Sequence, residues 1–126
     1  MLETSEGVAF IPSEDLDRSD AFYGNVLNLA QVSRSPFATV FHVGVGTIRI
    51  TKVDAFRPQP FTVFGWVVSD IRAVLRELRD RDVALLRYEG LDQDDEDVWT
   101  TPNRDLVAWF NDPDANVLSV TQFANH

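Results

Sequence analysis

The chain has 126 residues, 44% of them hydrophobic and 25% charged, enough for one domain with a core of its own. It contains no cysteine, so disulfides, thiolate metal sites and a cysteine nucleophile are excluded. Its net charge of -9 has the wrong sign for nucleic acid or an anionic membrane, and no apolar run approaches the ~20 residues of a membrane span, so neither partner is expected.

In chain order, the opening MLETSEGVAF lacks the basic-then-apolar order of a signal peptide, and a cytoplasmic location is expected. Val8 to Ile11 is a strand-like apolar run. A helix follows from about Asp15 to Leu27, with Leu16, Tyr23 and Leu27 on one stripe and Phe22 and Val26 beside it. His42, in PFATVFHVG, reads as a satisfied strand or turn histidine rather than a metal ligand, and His126 reads as a fraying terminus. Thr47 to Val53 alternates as a strand and sets Arg49 between Ile48 and Ile50. Residues 54–60, DAFRPQP, carry two prolines and read as a linker. A second apolar run starts at Val63. Asp70 is placed to cap a helix whose Ile71, Val74, Leu75 and Leu78 fall at i, i+3, i+4 and i+7, with Arg72, Arg76, Glu77 and Arg79 outward. Within the acidic loop Glu89 to Asp97, the run Asp92 to Asp97 lacks the glycine and distal glutamate of a calcium loop and reads as part of a solvated surface loop. Val107 to Phe123 is two apolar runs joined by the turn Asn111-Asp112-Pro113-Asp114-Ala115-Asn116. In the second run Leu118 and Val120 share one face, and Ser119 and Thr121 the other.

The chain repeats itself. Val8 to Leu16 lies on Val63 to Ile71 at an offset of 55, and Thr47 to Val53 lies on Val117 to Phe123 at an offset of 70. The growth of the offset places an insertion in the second half, at the acidic loop. Each half therefore reads strand, helix, three strands: module one over 7–53, module two over 61–123, together one domain over 1–126. One helix covers one face of a sheet, so the second face of each half must be covered by the other half, a partner subunit or a ligand. Two such halves would curl into a cleft.

Asp15-Leu-Asp-Arg-Ser-Asp-Ala-Phe-Tyr23 with Val26-Leu-Asn-Leu29, and Val107-Ala-Trp-Phe-Asn-Asp-Pro-Asp-Ala-Asn-Val-Leu118, resemble the vicinal oxygen chelate superfamily, which includes glyoxalase I, extradiol dioxygenases, and fosfomycin and bleomycin resistance proteins. Ala115 stands where that family's D-P-D-G-N pattern has glycine. The resemblance implies an α+β fold of two βαβββ modules in pseudo-twofold arrangement, forming a curved mixed sheet around a cleft, and a homodimer. Its metal-dependent members place ligands on the first and last strands of each half. Those positions correspond here to Val8, Arg49, Val63 and Ser119. Two valines cannot coordinate, arginine repels a cation and a neutral hydroxyl is a poor ligand, so neither metal nor other cofactor is expected.

If those four positions face the cleft, so do their neighbours two residues away: Phe10, Thr47, Thr51, Gly65, Val67, Val117 and Thr121. Trp99 and Trp109 are candidates for its wall, whereas Trp66 aligns with Ile11 on the core face. Such a lining suits a small, partly apolar organic molecule. Arg49 entering a dry cleft would bind a carboxylate or phosphate of that molecule; the alternatives are an internal pair with Glu89, Asp92 or another loop acid, and simple exposure at the sheet edge. Glu89 and Glu96 are the candidate bases for an enzyme, but no catalytic triad, phosphate loop or nucleotide fingerprint is present. The leading reading is a superfamily protein without the metal ligands that binds a small molecule. The alternatives are a metal-independent lyase or isomerase and a non-catalytic structural or regulatory module.

Overall fold

A computed structural model describes residues 1–124; His126 lies outside the described residues. The chain divides into two compact units, residues 1–58 and 59–126. Each is a four-stranded mixed sheet with its helix inserted after the first strand.

Unit 1 contains β1 (Val8–Ser13), α1 (Leu16–Ser19), a π-helical stretch Asp20–Val26, β2 (Gln31–Arg34), β3 (Ala38–Val43) and β4 (Gly46–Lys52). The strand order is β1-β4-β3-β2, with β1 parallel to β4 and the other pairs antiparallel. Alternation sorts the two faces. Ile11, Thr39, Phe41, Ile48 and Ile50 are buried together with Leu16 and Tyr23 of the helical layer. Tyr23 lies 6.1 Å from Phe41, centroid to centroid. Each buried apolar side chain of this set contributes roughly 1.5–3 kcal/mol. The entry to α1 is fixed twice: Asp15 accepts from the Arg18 N–H, and the buried Ser19 hydroxyl donates to Ser13 Oγ at 2.7 Å. The stripe expected over Asp15 to Leu27 does form, but as one short α-helical turn followed by a π-helix. The wider turn brings Tyr23 fully inside and leaves Leu27 only half-buried.

Unit 2 contains β5 (Thr62–Val67), α2 (Ile71–Asp80), β6 (Trp99–Thr100), β7 (Leu106–Asn111) and β8 (Val117–Gln122), in the order β5-β8-β7-β6. Asp70 caps α2 by accepting from the Ala73 N–H, and Ile71, Leu75 and Leu78 are buried as the spacing predicts. Gln122 adds a second anchor by accepting from the Ile71 N–H at 2.8 Å. The buried sheet face carries Ala108, Phe110, Leu118 and Val120, with Trp66 stacked on Phe110 at 6.3 Å. The turn between β7 and β8 is closed by Asp112, whose Oδ1 accepts from the N–H groups of Asp114 and Asn116, both at 2.9 Å. Ala115 in that turn has φ +64, the left-handed conformation that glycine adopts without penalty.

The acidic loop differs from the expectation of a solvated run. Arg72 of α2 binds Asp94 and Glu96, Arg79 of α2 binds Asp97, and Arg87 also binds Asp97. Arginines on the outward face of α2 and in the chain beyond it offset the carboxylates.

Candidate functional site

The sheet faces turned away from the helices carry the candidate residues. In unit 1, Val8 pairs with Thr47, Phe10 with Arg49 and Pro12 with Thr51 across β1 and β4. Across β4 and β3, Arg49 pairs with Val40 and Thr47 with His42. Arg49 therefore sits on a rung between Phe10 and Val40. Phe10 is 65% exposed, and Val8 and Arg49 are exposed as well. The Arg49 guanidinium is exposed on its unit's open face and makes no hydrogen bond or ion pair among the described residues. In unit 2 the loop acids Asp94, Glu96 and Asp97 are held by Arg72, Arg79 and Arg87. His42 is a strand residue on the same face as Arg49, exposed to solvent.

In unit 2, Trp109 pairs with Ser119, which pairs with Gly65; Val107 pairs with Thr121, which pairs with Val67. Trp99 extends the second rung by pairing with Val107. A bulge shifts the start of β5: Thr62 stands opposite Val117 and Phe64 opposite Leu118. Val63 is the extra residue. Thr62, not Val63, holds the rung that Val8 holds in unit 1. The constant offset of 55 conceals this slip, because it becomes visible only in the strand pairing. A Cβ on Gly65 would lie 2.2 Å from Ser119 Oγ and 2.9 Å from Ser119 O, so the serine hydroxyl occupies the space the glycine leaves.

The aromatic residues of this face form a connected group. Trp109 Nε1 donates to Thr62 Oγ1 at 3.1 Å, which lays the indole across the sheet from β7 toward β5. Trp99 stacks on Trp109 at 6.3 Å with 28° between planes, and Tyr88 meets Trp109 edge-on at 5.3 Å and 86°. Burial pushes the Tyr88 phenol above its ordinary range. Tyr88 and Thr62 were not recoverable from alternation: Tyr88 lies in an irregular loop, and Thr62 is displaced by the bulge.

Solved structures share this architecture. A member of the glyoxalase/bleomycin resistance protein/dioxygenase superfamily from Sphaerobacter thermophilus superposes with a TM-score of 0.76, covering 97% of this chain and 99% of its own at 17% identity. The chain has the glyoxalase/bleomycin resistance fold. A lactoylglutathione lyase from Agrobacterium tumefaciens matches this fold with a TM-score of 0.75 at 17% identity, over 97% of this chain and 96% of that one. A glyoxalase/bleomycin resistance protein/dioxygenase from Alicyclobacillus acidocaldarius matches with a TM-score of 0.70 at 18% identity, over 97% and 93%. No family model matches the sequence, and no curated protein matches it.

The positions that the sequence resemblance assigns to metal ligands are Val8, Arg49, Val63 and Ser119, with Thr62 beside Val63 in the bulge. Their side chains offer two alkyl groups, a cation and neutral hydroxyls, which do not fit a divalent metal. Among the described residues no group of three or more histidine, aspartate or glutamate side chains is gathered at any place where a metal ion could be held. Glu96, one of the two carboxylates considered as a base, is bound to Arg72 at 2.7 Å.

Proposed function

We propose that the chain is a metal-independent binding protein for a small, partly apolar organic molecule, received on the open sheet faces. The observation that carries this reading is Arg49: a guanidinium without a partner among the described residues, on a rung between Phe10 and Val40. A cation with apolar neighbours and no internal acid suits a carboxylate or phosphate attached to an apolar body. In unit 2, Trp99 and Trp109 offer flat apolar surface beside the hydroxyls of Ser119 and Thr121, which suits an aromatic or ring-bearing ligand. The ligand set is Val8, Phe10, Arg49, Thr51, Val63, Gly65, Trp99, Trp109, Ser119 and Thr121, to which Thr62 and Tyr88 are added.

A homodimer belongs to the same reading. Phe10 at 65% and Val67 at 64% exposure leave apolar surface on both open faces, which a second copy or a ligand would cover. Lyase chemistry is the activity of one structural neighbour, but here the candidate base Glu96 is tied to Arg72. Fold alone does not transfer a reaction.

The test is a thermal-shift series with benzoate, 1-naphthoate and phenyl phosphate against the neutral benzyl alcohol. A ligand at 100 times its Kd stabilises a folded protein by about 2.7 kcal/mol. The anions are expected to raise Tm in the parent chain and to lose that effect in Arg49→Met. Equal shifts in parent and variant would remove Arg49 from the site, and no shift with any compound would count against the binding reading.

A further inference from the structure

We infer that Gln93, together with Arg72, Arg79 and Arg87, forms a latch that positions Tyr88 and Trp99 against Trp109 and so shapes the aromatic part of the open face of unit 2. This rests on the reading of that face as a binding surface.

Gln93 is the hub of the loop. Only 7% exposed, it donates from Nε2 to the carbonyls of Leu86 and Asp97, both at 2.9 Å, and accepts at Oε1 from the Tyr88 N–H at 2.7 Å. One side chain thus holds both ends of the loop together, and the backbone of Gln93 bridges to Trp99. Leu86 in turn docks on β7, its N–H donating to the Trp109 carbonyl at 2.8 Å. Tyr88 is therefore located relative to Trp109 through this amide, and Trp99 is held both by its bridge to Gln93 and by its pairing with Val107 of β7. A buried amide with its donors and acceptor satisfied loses all these bonds if the loop lifts, and an apolar replacement leaves backbone groups unpaired.

The arginines close the outer layer. Arg72 spans Asp94 at 2.8 Å and Glu96 at 2.7 Å. Arg79 reaches Asp97 at 3.2 Å and the Glu96 carbonyl. Arg87 holds Asp97 at 2.7 Å and the carbonyls of Asp94 and Gln93 at 2.9 and 3.1 Å. Two of these guanidiniums stand on α2, whose Ile71, Leu75 and Leu78 are in the core, so the loop is fastened to a rigid element. The residues act through Tyr88 and Trp99 and are positioning residues. A partly exposed ion-pair network is screened by salt, whereas the amide hub is not, so the two layers respond to different perturbations.

The close indole pair gives a direct readout, since two coupled indoles produce an exciton couplet in the far-ultraviolet circular dichroism. Trp99→Phe fixes how much of the signal belongs to the pair. In the full chain without ligand, Gln93→Leu and the double variant Arg72→Gln with Arg87→Gln are each expected to lose at least half of that couplet, while the helical signal stays. If Gln93→Leu fails to fold, the arginine double variant decides. A couplet unchanged in the folded variants overturns the latch. Binding of 1-naphthoate, followed by quenching of tryptophan fluorescence, is measured separately and is expected to weaken at least threefold in the same variants. Loss of the couplet with unchanged naphthoate affinity would sink the assignment of the aromatic face to binding and leave the latch standing.

Discussion

Ala115 shows how a single residue departs from the best local solution. Its φ of +64 closes the turn that joins β7 to β8, and the same turn is held by Asp112 and Asn116. A left-handed residue with a Cβ costs roughly 1–2 kcal/mol, of which glycine recovers part and returns some as unfolded-state entropy. Ala115→Gly is therefore expected to raise unfolding free energy by about 0.5–1 kcal/mol in urea denaturation, with the m-value unchanged. Gly65 is the opposite case. Its missing Cβ is the space that Ser119 Oγ occupies, and the Ser119 carbonyl stands 2.9 Å from the added atom as well. Gly65→Ala should cost about 1–3 kcal/mol through overpacking, and Gly65→Ala with Ser119→Ala should recover part of that cost. A double variant no more stable than Gly65→Ala alone would show that the backbone contact dominates.

At the level of elements, α2 and the acidic loop form one working part of unit 2. Burial raises the Asp94 carboxyl, but hydrogen bonds from Arg72 and from the N–H groups of Val98 and Glu96 outweigh it, and the net displacement is downward. A carboxylate depressed on folding contributes stability above its unfolded value of about 3.9 and loses that contribution as pH falls through the folded value. Acid titration should accordingly weaken the loop from about pH 4 downward, and Arg72→Gln should diminish that part of the pH dependence. A urea series at several pH values checks both. The buried stripe of α2 contributes more to stability than these partly exposed ion pairs: Leu75 is fully buried, and Leu75→Ala is expected to cost about 2–5 kcal/mol in the same denaturation experiment. In unit 1 the π-helix could not be foreseen from apolar spacing, because the same side chains at the same positions satisfy an α-helix equally well. The π-helical stretch seats Tyr23 against Phe41 of β3, a contact that spacing along the chain does not show.

For the molecule as a whole, two βαβββ units with the same strand order were legible in the internal repeat, and the acidic insertion between α2 and β6 accounts for the longer offset in the second half. Net charge sets expectations for association: at -9 the chain should leave duplex DNA unshifted in a gel assay at physiological salt. If the exposed apolar faces meet a second copy, light scattering behind size exclusion should report twice the 14.2 kDa chain mass. A single-chain mass at micromolar concentration would assign those faces to ligand or solvent. Zinc, nickel and manganese are expected to leave Tm unchanged, because among the described residues no group of three or more histidine, aspartate or glutamate side chains is gathered to chelate an ion.

Sequence alone determined which face of β4 and of β8 is core, since a period of two puts Ile48 and Ile50 opposite Arg49, and Leu118 and Val120 opposite Ser119, regardless of what lies elsewhere. It also determined the start of α2, where Asp70 caps its own helix through a contact only three residues long. Only the tertiary structure decided the bulge that puts Thr62 in place of Val63, the pairing of the acidic loop with Arg72, Arg79 and Arg87, and the juxtaposition of Tyr88 with Trp109. Each of these joins residues distant in the chain or trades one strand register for another. Such choices are made by packing and by satisfying buried polar groups, for which local spacing carries no signal.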